Sequence, residues 1–454
     1  MKFAIVKSLM IMLSWTLITS CKKSAGGSEA IAQGIPSHPL QSDQDLDKLI
    51  EKIGDAKVVL LGEASHGTSE YYQWRAAISK RLIEEKGFSF IAVEGEWADS
   101  YRVNNFVKGA RRDSSEAVTL LKQYDRWPTW MWGNYEVASL VNWMNARNQG
   151  KPASSKAGFY GLDVYCLWES MTELMPHLPP TETSLVNAAN QVHRCFQPFS
   201  NDAQDYAYAV ANASANCKSQ TEHLWQSVMN ITGNSTEGTE SNFLMQQNAM
   251  VALNGERYYR AMVTDNNESW NIRDRHMAET LKRLLAHHGP NARAIVWEHN
   301  THIGDARFTD MASAGMVNVG QLAREEYGRE NVFAVGFGSY KGTVIAAEEW
   351  GAPMKVMQVP SATKGSWEQI LHELSPADKM IFSDEIRHNK VLQKPIGHRA
   401  IGVQYDPGRE RGNYVPSVMP DRYDAFLYID KTNALRPIPV KQRNEPPDTY
   451  PSGY

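Results

Sequence analysis

A histidine with glutamates and an arginine nearby is the part of this sequence best suited to chemistry. Glu63 and His66 lie in the segment Gly-Glu-Ala-Ser-His-Gly, and Arg75 follows about two helical turns later. A neutral imidazole accepts a proton near neutral pH, and a carboxylate beside it can hold one tautomer and stabilise the imidazolium. A guanidinium is permanently charged and can fix a carboxylate or stabilise an oxyanion. These residue types predict His66 as a general base that activates water, with Glu63 and Glu94 as its acidic partners.

Hydrophobic runs around this segment explain why its polar residues should meet. Residues 56–61 and 88–93 are short apolar runs that predict buried strands, and residues 68–86 between them predict a helix. A strand, helix and strand at this spacing form a right-handed parallel unit. Ligands bind beyond the carboxyl ends of such strands, where His66 follows the first strand and Glu94 leaves the second.

Two later strands deliver further polar residues. Asp163 follows the predicted strand 157–162, and His299 and His302 follow the predicted strand 293–297. One polar residue after a strand is ordinarily the start of a polar loop, but parallel strands bring their carboxyl ends to the same edge of the sheet. We therefore expect these residues in the pocket of the general base. There His299 could polarise a scissile carbonyl, protonate a leaving group or help to bind water, and His302 and Asp163 are additional candidates.

The same residues leave a metal site open as an alternative. His299 and His302 lie one short turn apart, and Glu63 or Glu94 could complete a zinc site. The spacing is not that of His-Glu-x-x-His, so the pattern by itself does not choose between metal and water chemistry. A serine nucleophile is not favoured, because Ser65 lacks the first glycine of the Gly-x-Ser-x-Gly turn.

A run of aromatic residues supplies a candidate wall for the pocket. Trp127, Trp130 and Trp132 fall in a segment that Pro128 keeps out of regular structure. Such a run commonly packs a core against an inserted segment, and it can equally form the apolar wall of a cleft for a bulky ligand. We predict that these tryptophans, together with Tyr165 after the third strand, line the substrate cleft.

Composition and patterning predict a globular α/β protein. With 42% apolar residues, 22% charged residues and a formal charge of -4, the chain has no basic footprint, which argues against a nucleic-acid partner. The pattern divides the chain into several segments. They are a signal peptide at 1–21, a flexible tether at 22–40, the first part of the α/β core at 41–168, a helical insertion at 169–288, the second part of the core at 289–432 and a proline-rich tail at 433–454.

The N-terminus has the pattern of a bacterial lipoprotein signal. Two lysines precede a short apolar run, and small residues precede Cys21, which would become the lipidated first residue of the mature chain. The alternative is an ordinary secretory signal with a chance cysteine. The lipid anchor predicts a place in the cell envelope, on the periplasmic or surface side. An oxidising compartment permits a disulfide, for which Cys195 and Cys217 are the favoured pair, although buried thiols are the alternative.

Short motifs rich in polar and aromatic residues are spread from residue 62 to residue 414. They are Gly-Glu-Ala-Ser-His-Gly at 62–67, Ala-Val-Glu-Gly at 92–95, Pro-Thr-Trp-Met-Trp at 128–132, Phe-Tyr-Gly-Leu-Asp-Val-Tyr at 159–165, Arg-Asp at 273–274, Trp-Glu-His-Asn-Thr-His at 297–302, Tyr-Asp-Pro at 405–407 and Asn-Tyr at 413–414. In this order they resemble the erythromycin esterase family, and the resemblance spans about residues 40–432.

The resemblance implies a three-layer α/β core with a parallel-rich central sheet, a helical insertion and a smaller α+β part within residues 289–432. It also implies hydrolysis of the macrolactone ring of erythromycin-type antibiotics, with no required metal or cofactor. The base histidine of the family matches His66. Other site positions of the family match Glu63, Arg75, Glu94 and His299, with His302 as a second histidine of the last motif. Some members are associated with succinoglycan biosynthesis, so membership alone does not fix the substrate.

The sequence therefore predicts a metal-independent carboxylic ester hydrolase that opens a macrolactone with water activated by His66, and so gives macrolide resistance. Its partners would be a small-molecule ester or lactone and the membrane that holds the lipid anchor at Cys21. Two alternatives stay open. One is an envelope protein that binds a glycan or lipid, or serves a succinoglycan-like biosynthesis, and the other is a zinc hydrolase.

Overall fold

The computed structural model describes residues 34–199, 202–233 and 239–442. The predicted signal peptide with Cys21, most of the predicted tether, and the proline-rich tail from residue 443 onwards lie outside these ranges. Among the described residues, every helix is too short or too polar to cross a lipid bilayer.

A nine-stranded sheet forms the centre of the molecule. The strands, numbered along the described chain, are β1 (His38–Pro39), β2 (Val58–Leu61), β3 (Phe90–Glu96), β4 (Gly158–Asp163), β5 (Ala294–Trp297), β6 (Val332–Ala346), β7 (Lys355–Val359), β8 (Lys379–Phe382), β9 (Ile396–Arg399), β10 (Tyr414–Ser417) and β11 (Ala425–Thr432). The main sheet has the spatial order β1-β8-β11-β6-β2-β5-β3-β4, β7 pairs with β6, and β9 and β10 form a separate antiparallel pair.

The centre of the sheet is parallel. Strand β2 lies between β5 and β6, and β3 lies between β5 and β4, all in parallel register. The carboxyl ends of β2, β3, β4 and β5 therefore meet at one edge of the sheet. Strand β11 is parallel to β6 on its other side, whereas β8 and β1 are antiparallel additions beyond it.

Helices cover both faces of this sheet. Numbered along the described chain, they are α1 (Asp47–Ile53), α2 (Ser69–Glu85), α3 (Trp97–Lys108), α4 (Ser114–Leu121), α5 (Tyr135–Asn148), α6 (Leu167–Leu174), α7 (Thr183–Phe196), α8 (Ala203–Ala211), α9 (Lys218–Thr232), α10 (Glu240–Met262), α11 (Asn266–His287), α12 (Asn300–Ile303), α13 (Val319–Tyr327), α14 (Trp367–Leu374), α15 (Ser383–Ile386) and α16 (Met419–Arg422).

Side chains of the central strands alternate between two apolar cores. Val59 and Leu61 face the core that α2 covers, whereas Val58 and Leu60 face the core that α11 covers. A strand covered by helices on both faces must be apolar at every position, as residues 58–61 are. The structure confirms the predicted three-layer α/β core with its parallel-rich sheet.

Helices α6 to α11 fill the chain between β4 and β5 and have a core of their own. That core includes Leu185, Tyr206 and Leu224. A disulfide joins Cys195 to Cys217 within it, with an S–S distance of 2.06 Å. The disulfide confirms the favoured cysteine pair.

The last third of the chain departs from the sequence-based expectations. The apolar runs 332–337 and 400–404 each predict a further strand. Strand β6 continues beyond the first run to Ala346, because its outer half pairs with both β11 and β7. The second run forms isolated bridges instead of a strand, and one of these bridges joins Ile401 to Ser65. Helix α4 and strand β8 were not predicted, because both are short and take their stability from tertiary neighbours.

Residues 433–442, the C-terminal strap, run over the edge of the sheet where the polar strand ends meet. Leu435 N donates to Gly67 O at 2.9 Å, in the loop after β2, and Ile438 N donates to Gly133 O at 2.7 Å, in the aromatic segment. The side chains of Leu435 and Ile438 are buried in the core that α2 covers. The strap thus joins the loop that carries the predicted base to the predicted wall of the cleft.

Candidate active site

The polar strand ends converge as the parallel sheet requires. The imidazole rings of His66 and His299 are neighbours, with 4.9 Å between their centroids and a tilt of 44°. Glu63, Arg75 and Glu94 are buried around them. The geometry brings the five principal candidates into one buried cluster, from which His66 and Glu94 border the adjoining cleft, and their chemical roles remain predictions.

His66 is held by a buried ion pair. Its Nδ1–H donates to Glu63 Oε1 at 2.8 Å, and Arg75 Nη2 donates to Glu63 Oε2 at 2.6 Å. The Arg75 guanidinium lies over the rings of Tyr72 and Trp297, at 4.2 and 4.6 Å from their centroids. Because a carboxylate only accepts hydrogen bonds, Nδ1 of His66 must carry the proton. In the neutral ring, Nε2 is then the nitrogen with the lone pair that a general base requires.

Glu94 is an ionised carboxylate clamped by donors. Its Oε1 accepts from Arg273 Nη2 and its Oε2 accepts from the backbone N of His299, each at 2.8 Å. Burial alone would raise the pKa of Glu94, but the charges of His302 and Arg273 outweigh burial and hold that pKa well below its ordinary value. Glu94 is thus fixed as an anion beside the histidines.

Arg273 was not among the predicted site residues. It donates from Nε and Nη2 to Asp163, with a shortest distance of 2.6 Å, and its guanidinium lies 5.0 Å from the centroid of the Tyr165 ring. Burial would lower its pKa, but Asp163, Tyr165 and Glu94 outweigh burial and raise it well above the ordinary value. Asp163 therefore acts by holding Arg273 in the site.

His302 lies deeper than the cleft. Its Nδ1 is 2.9 Å from Asp274 Oδ1, its Nε2 is 3.4 Å from Glu94 Oε1, and its ring stacks on Trp270 at 4.5 Å. Burial and the nearby Arg273 would lower its pKa, but Asp274 and Glu94 outweigh them and raise it to about 10. The raised pKa favours the cationic form of His302, which lies beneath Glu94 with Arg273 Nη1 3.1 Å from its Nε2.

His299 has the opposite tautomer to His66. Its Nδ1 accepts the backbone N–H of Thr301 at 3.3 Å and lies 2.8 Å from Thr301 Oγ1, so Nδ1 carries no proton. Burial and the neighbouring His66 lower its pKa well below the ordinary value, so the ring is neutral. The proton is on Nε2, which is buried and has no acceptor at full hydrogen-bond geometry among the described residues, although the backbone carbonyl of Ala64 is near enough to the ring to work against the lowered pKa. The two neighbouring rings therefore offer one acceptor and one donor.

An aromatic cleft with about 630 Å³ of empty space leads to this site. Trp127, Trp132 and Tyr165 line it, as predicted, together with the carboxylates Glu94 and Asp163. Trp132 Nε1 also donates to Glu94 O at 3.1 Å, which ties the wall to strand β3.

The prediction that Trp130 lines the cleft is wrong. Its ring is 1% exposed and packs edge to face against Trp127 at 5.7 Å, so it supports the wall from behind. Trp350, which the sequence pattern did not single out, lies in the cleft with its ring 4.6 Å from Trp127.

The acidic side chains do not fit a metal site. In the described ranges, no group of three or more histidine, cysteine, aspartate or glutamate side chains has the arrangement that a metal ion needs. The guanidinium of Arg273 already bridges Glu94 and Asp163, and Asp274 is engaged by His302. A protein cation thus occupies the position that the zinc alternative required.

Comparisons with known proteins identify relatives in sequence and in fold. An erythromycin esterase type II from Escherichia coli is 31% identical over 128 residues, which are 28% of this chain and 28% of that protein. A succinoglycan biosynthesis protein of known structure superposes with a TM-score of 0.71 at 19% identity, covering 91% of this chain and 99% of its own. A mutant of the erythromycin esterase EreC in its open conformation superposes with a TM-score of 0.63 at 15% identity, covering 87% and 95%.

At these identities the structural likeness shows a shared fold. The sequence model described as erythromycin esterase matches residues 83–432, a range that holds Glu94, Arg273 and His299 and begins after the segment with His66. Since that match covers well over half of the residues, this chain belongs to the erythromycin esterase family.

Proposed function

We propose that this hydrolase cleaves carboxylic esters, and erythromycin-type macrolactones in particular, by direct attack of water. The single observation that carries the proposal is the pair of adjacent imidazoles whose Nδ1 atoms are engaged by Glu63 in His66 and by Thr301 in His299, so that the neutral rings would present a lone pair on Nε2 of His66 and an N–H on Nε2 of His299. A base and a neutral donor on the same small volume are what water attack on an ester carbonyl needs.

The steps follow from these two tautomers. His66 Nε2 takes a proton from water while the water oxygen forms a bond to the carbonyl carbon. The carbonyl oxygen gains the electron pair of its π-bond, and His299 Nε2–H donates a hydrogen bond to the resulting oxyanion. When the oxyanion collapses, the ester C–O bond breaks, and the departing alcohol oxygen takes the proton back from His66. Glu63 stabilises the intermediate imidazolium, and the hydrogen bond from Arg75 orients Glu63.

The surroundings support water rather than a side chain as the nucleophile. The Ser65 hydroxyl lies in the loop beside His66, but it is hydrogen-bonded to Thr68 Oγ1 at 2.5 Å. Cys166 is buried, and burial raises the pKa of its thiol to about 12. Neither group is poised to form an acyl intermediate, so we expect no burst of product in the first turnover.

We also propose that the protein works in the cell envelope, held by a lipid on Cys21. The disulfide between Cys195 and Cys217 supports an oxidising compartment. Growth with a radiolabelled fatty acid should label the wild-type protein in membranes. A Cys21→Ala variant that is equally labelled and equally membrane-bound would contradict the proposal.

Mass spectrometry of a macrolide and simple-ester panel tests the proposed activity. The wild-type protein should add the mass of one water to its substrates, before and after dialysis against a chelator. His66→Ala should abolish this reaction, whereas His388→Ala, at an exposed histidine, should not change it. An active and folded His66→Ala protein would remove the proposed base. No product from any ester would favour a binding protein. Loss of activity after dialysis against the chelator, reversed by added zinc, would favour a metallohydrolase.

A further inference from the structure

Thr301 is a polar residue that touches His299 and faces away from the aromatic cleft. It is 8% exposed, and its exposed part lines a second cleft with about 1560 Å³ of empty space. That cleft is also lined by Gln404, Asp406 and Arg409, none of which borders the aromatic cleft. Thr301 is thus reached from solvent on the side of His299 that lies away from the substrate.

The contacts of Thr301 determine where the proton of His299 can be. The backbone N–H of Thr301 donates to Nδ1 at 3.3 Å, and this donor cannot be reversed. Since Nδ1 then carries no proton, the Thr301 hydroxyl at 2.8 Å from it must also donate. Two donors on one nitrogen oppose its protonation, and they leave the proton of the neutral ring on Nε2.

The same contacts fix the direction of the ring. His299 is the residue before helix α12, and its side chain accepts the Thr301 N–H as a helix cap. Its backbone N–H donates to Glu94 at 2.8 Å. The hydroxyl of Thr301 contacts Nδ1, the other ring nitrogen, so it fixes the rotation of the ring and with it the direction of Nε2–H, in a ring whose centroid is 4.9 Å from that of His66. A donor for an oxyanion must be oriented before the reaction, because reorientation during it costs free energy.

We propose that Thr301 is a positioning residue that keeps His299 as an oriented Nε2–H donor for the oxyanion. This inference rests on the proposed ester hydrolysis. Thr301 has no contact with the aromatic cleft, so its loss should slow the chemical step and leave substrate binding alone. That separation distinguishes it from the cleft residues, whose loss should change both.

Replacement of the hydroxyl tests the inference on the full-length protein. Thr301→Val removes the hydroxyl at nearly constant volume, and Thr301→Ser keeps it. We expect Thr301→Val to lower kcat by about tenfold with KM unchanged, which is less than the roughly 10²–10³ for outright loss of an oxyanion donor. Thr301→Ser should restore kcat. Thr264→Val, at an exposed threonine that bonds Ala261 O, is the matched control.

Nitrogen NMR of histidine-labelled protein adds a readout that loss of packing alone would not change. In wild type and Thr301→Ser, His299 should give the Nε2–H pattern, assigned by its disappearance in His299→Gln. Thr301→Val should keep that tautomer, because the backbone N–H of residue 301 remains, but the Nδ1 resonance should shift because this nitrogen loses one of its two donors. Unchanged kcat in Thr301→Val, a rise in KM alone, or equal losses in the valine and serine variants would overturn the inference. If His66→Ala stays active, the proposed function itself fails, and that result is separate from any effect at Thr301.

Discussion

Replacing Glu63 by glutamine tests the proposed base most sharply. It removes one of the two carboxylate oxygens that His66 and Arg75 share between them, so the two residues must compete for the oxygen that remains. The carboxylate of Glu63 accepts from His66 with one oxygen and from Arg75 with the other. A glutamine has only one oxygen. The guanidinium is buried, and its Nε and Nη1 have no hydrogen-bond partner in the described part of the chain, so Arg75 should take that oxygen.

The amide NH2 of the glutamine would then face His66 Nδ1. That nitrogen would have to accept a hydrogen bond, and the proton of the imidazole would move to Nε2. The base would be lost while its ring stays in place. Loss of a positioned general base costs about 10²–10⁴ in rate, or about 3–5 kcal/mol of transition-state stabilisation at about 1.4 kcal/mol per factor of ten.

The variant should also lose stability. Breaking a buried ion pair by removing one partner costs about 3–5 kcal/mol, and the amide oxygen should recover part of this loss. The assay is kcat/KM for a reactive ester across the pH range, together with thermal unfolding. Glu84→Gln, an exposed position on the helix that carries Arg75, is the control. A folded Glu63→Gln protein with wild-type kcat/KM would refute the tautomer argument and the role of His66 with it.

Two further predictions concern stability. The pKa of His302 is raised from 6.5 to about 10. Its contribution to stability is therefore complete below pH 6.5 and is lost as the pH rises through 10. The melting temperature of the wild-type protein should fall over that range, and the fall should be smaller in His302→Gln. The disulfide between Cys195 and Cys217 spans 22 residues, so replacing both cysteines by serine should lower the free energy of unfolding by about 3 kcal/mol. The value of kcat should not change. A large fall in kcat would contradict the idea that the core of the helical insertion is independent of the candidate site.

Local pattern was enough for one half of the site. The apolar runs 58–61 and 90–93 with a capped helix between them define a parallel unit, and that geometry alone places His66 and Glu94 on one edge. His299 followed from the same rule at a later strand. These positions were predictable because strand direction, rather than side-chain detail, determines them.

The other half depends on contacts between distant segments. Arg273 lies on a long helix and meets Asp163 across a separation of 110 residues, so no local period points to it. Trp130 and Trp132 look equivalent in an irregular segment, and only the packing against Trp127 shows which one is hidden. Thr301 contacts His299 through hydrogen bonds that depend on the shape of the turn after β5, and the sequence alone does not reveal that shape.

The position of β2 has a consequence for how the chain is made. β2 is the second strand in the sequence, but its neighbours in the sheet are β5 and β6, and the loop after it is held by the C-terminal strap. At about 5–20 residues per second, a ribosome needs on the order of tens of seconds to supply those partners. During that time the apolar segment 58–61 has no sheet to enter. The loop that carries His66 is therefore among the first parts of the described chain to be synthesised and among the last to gain all its partners.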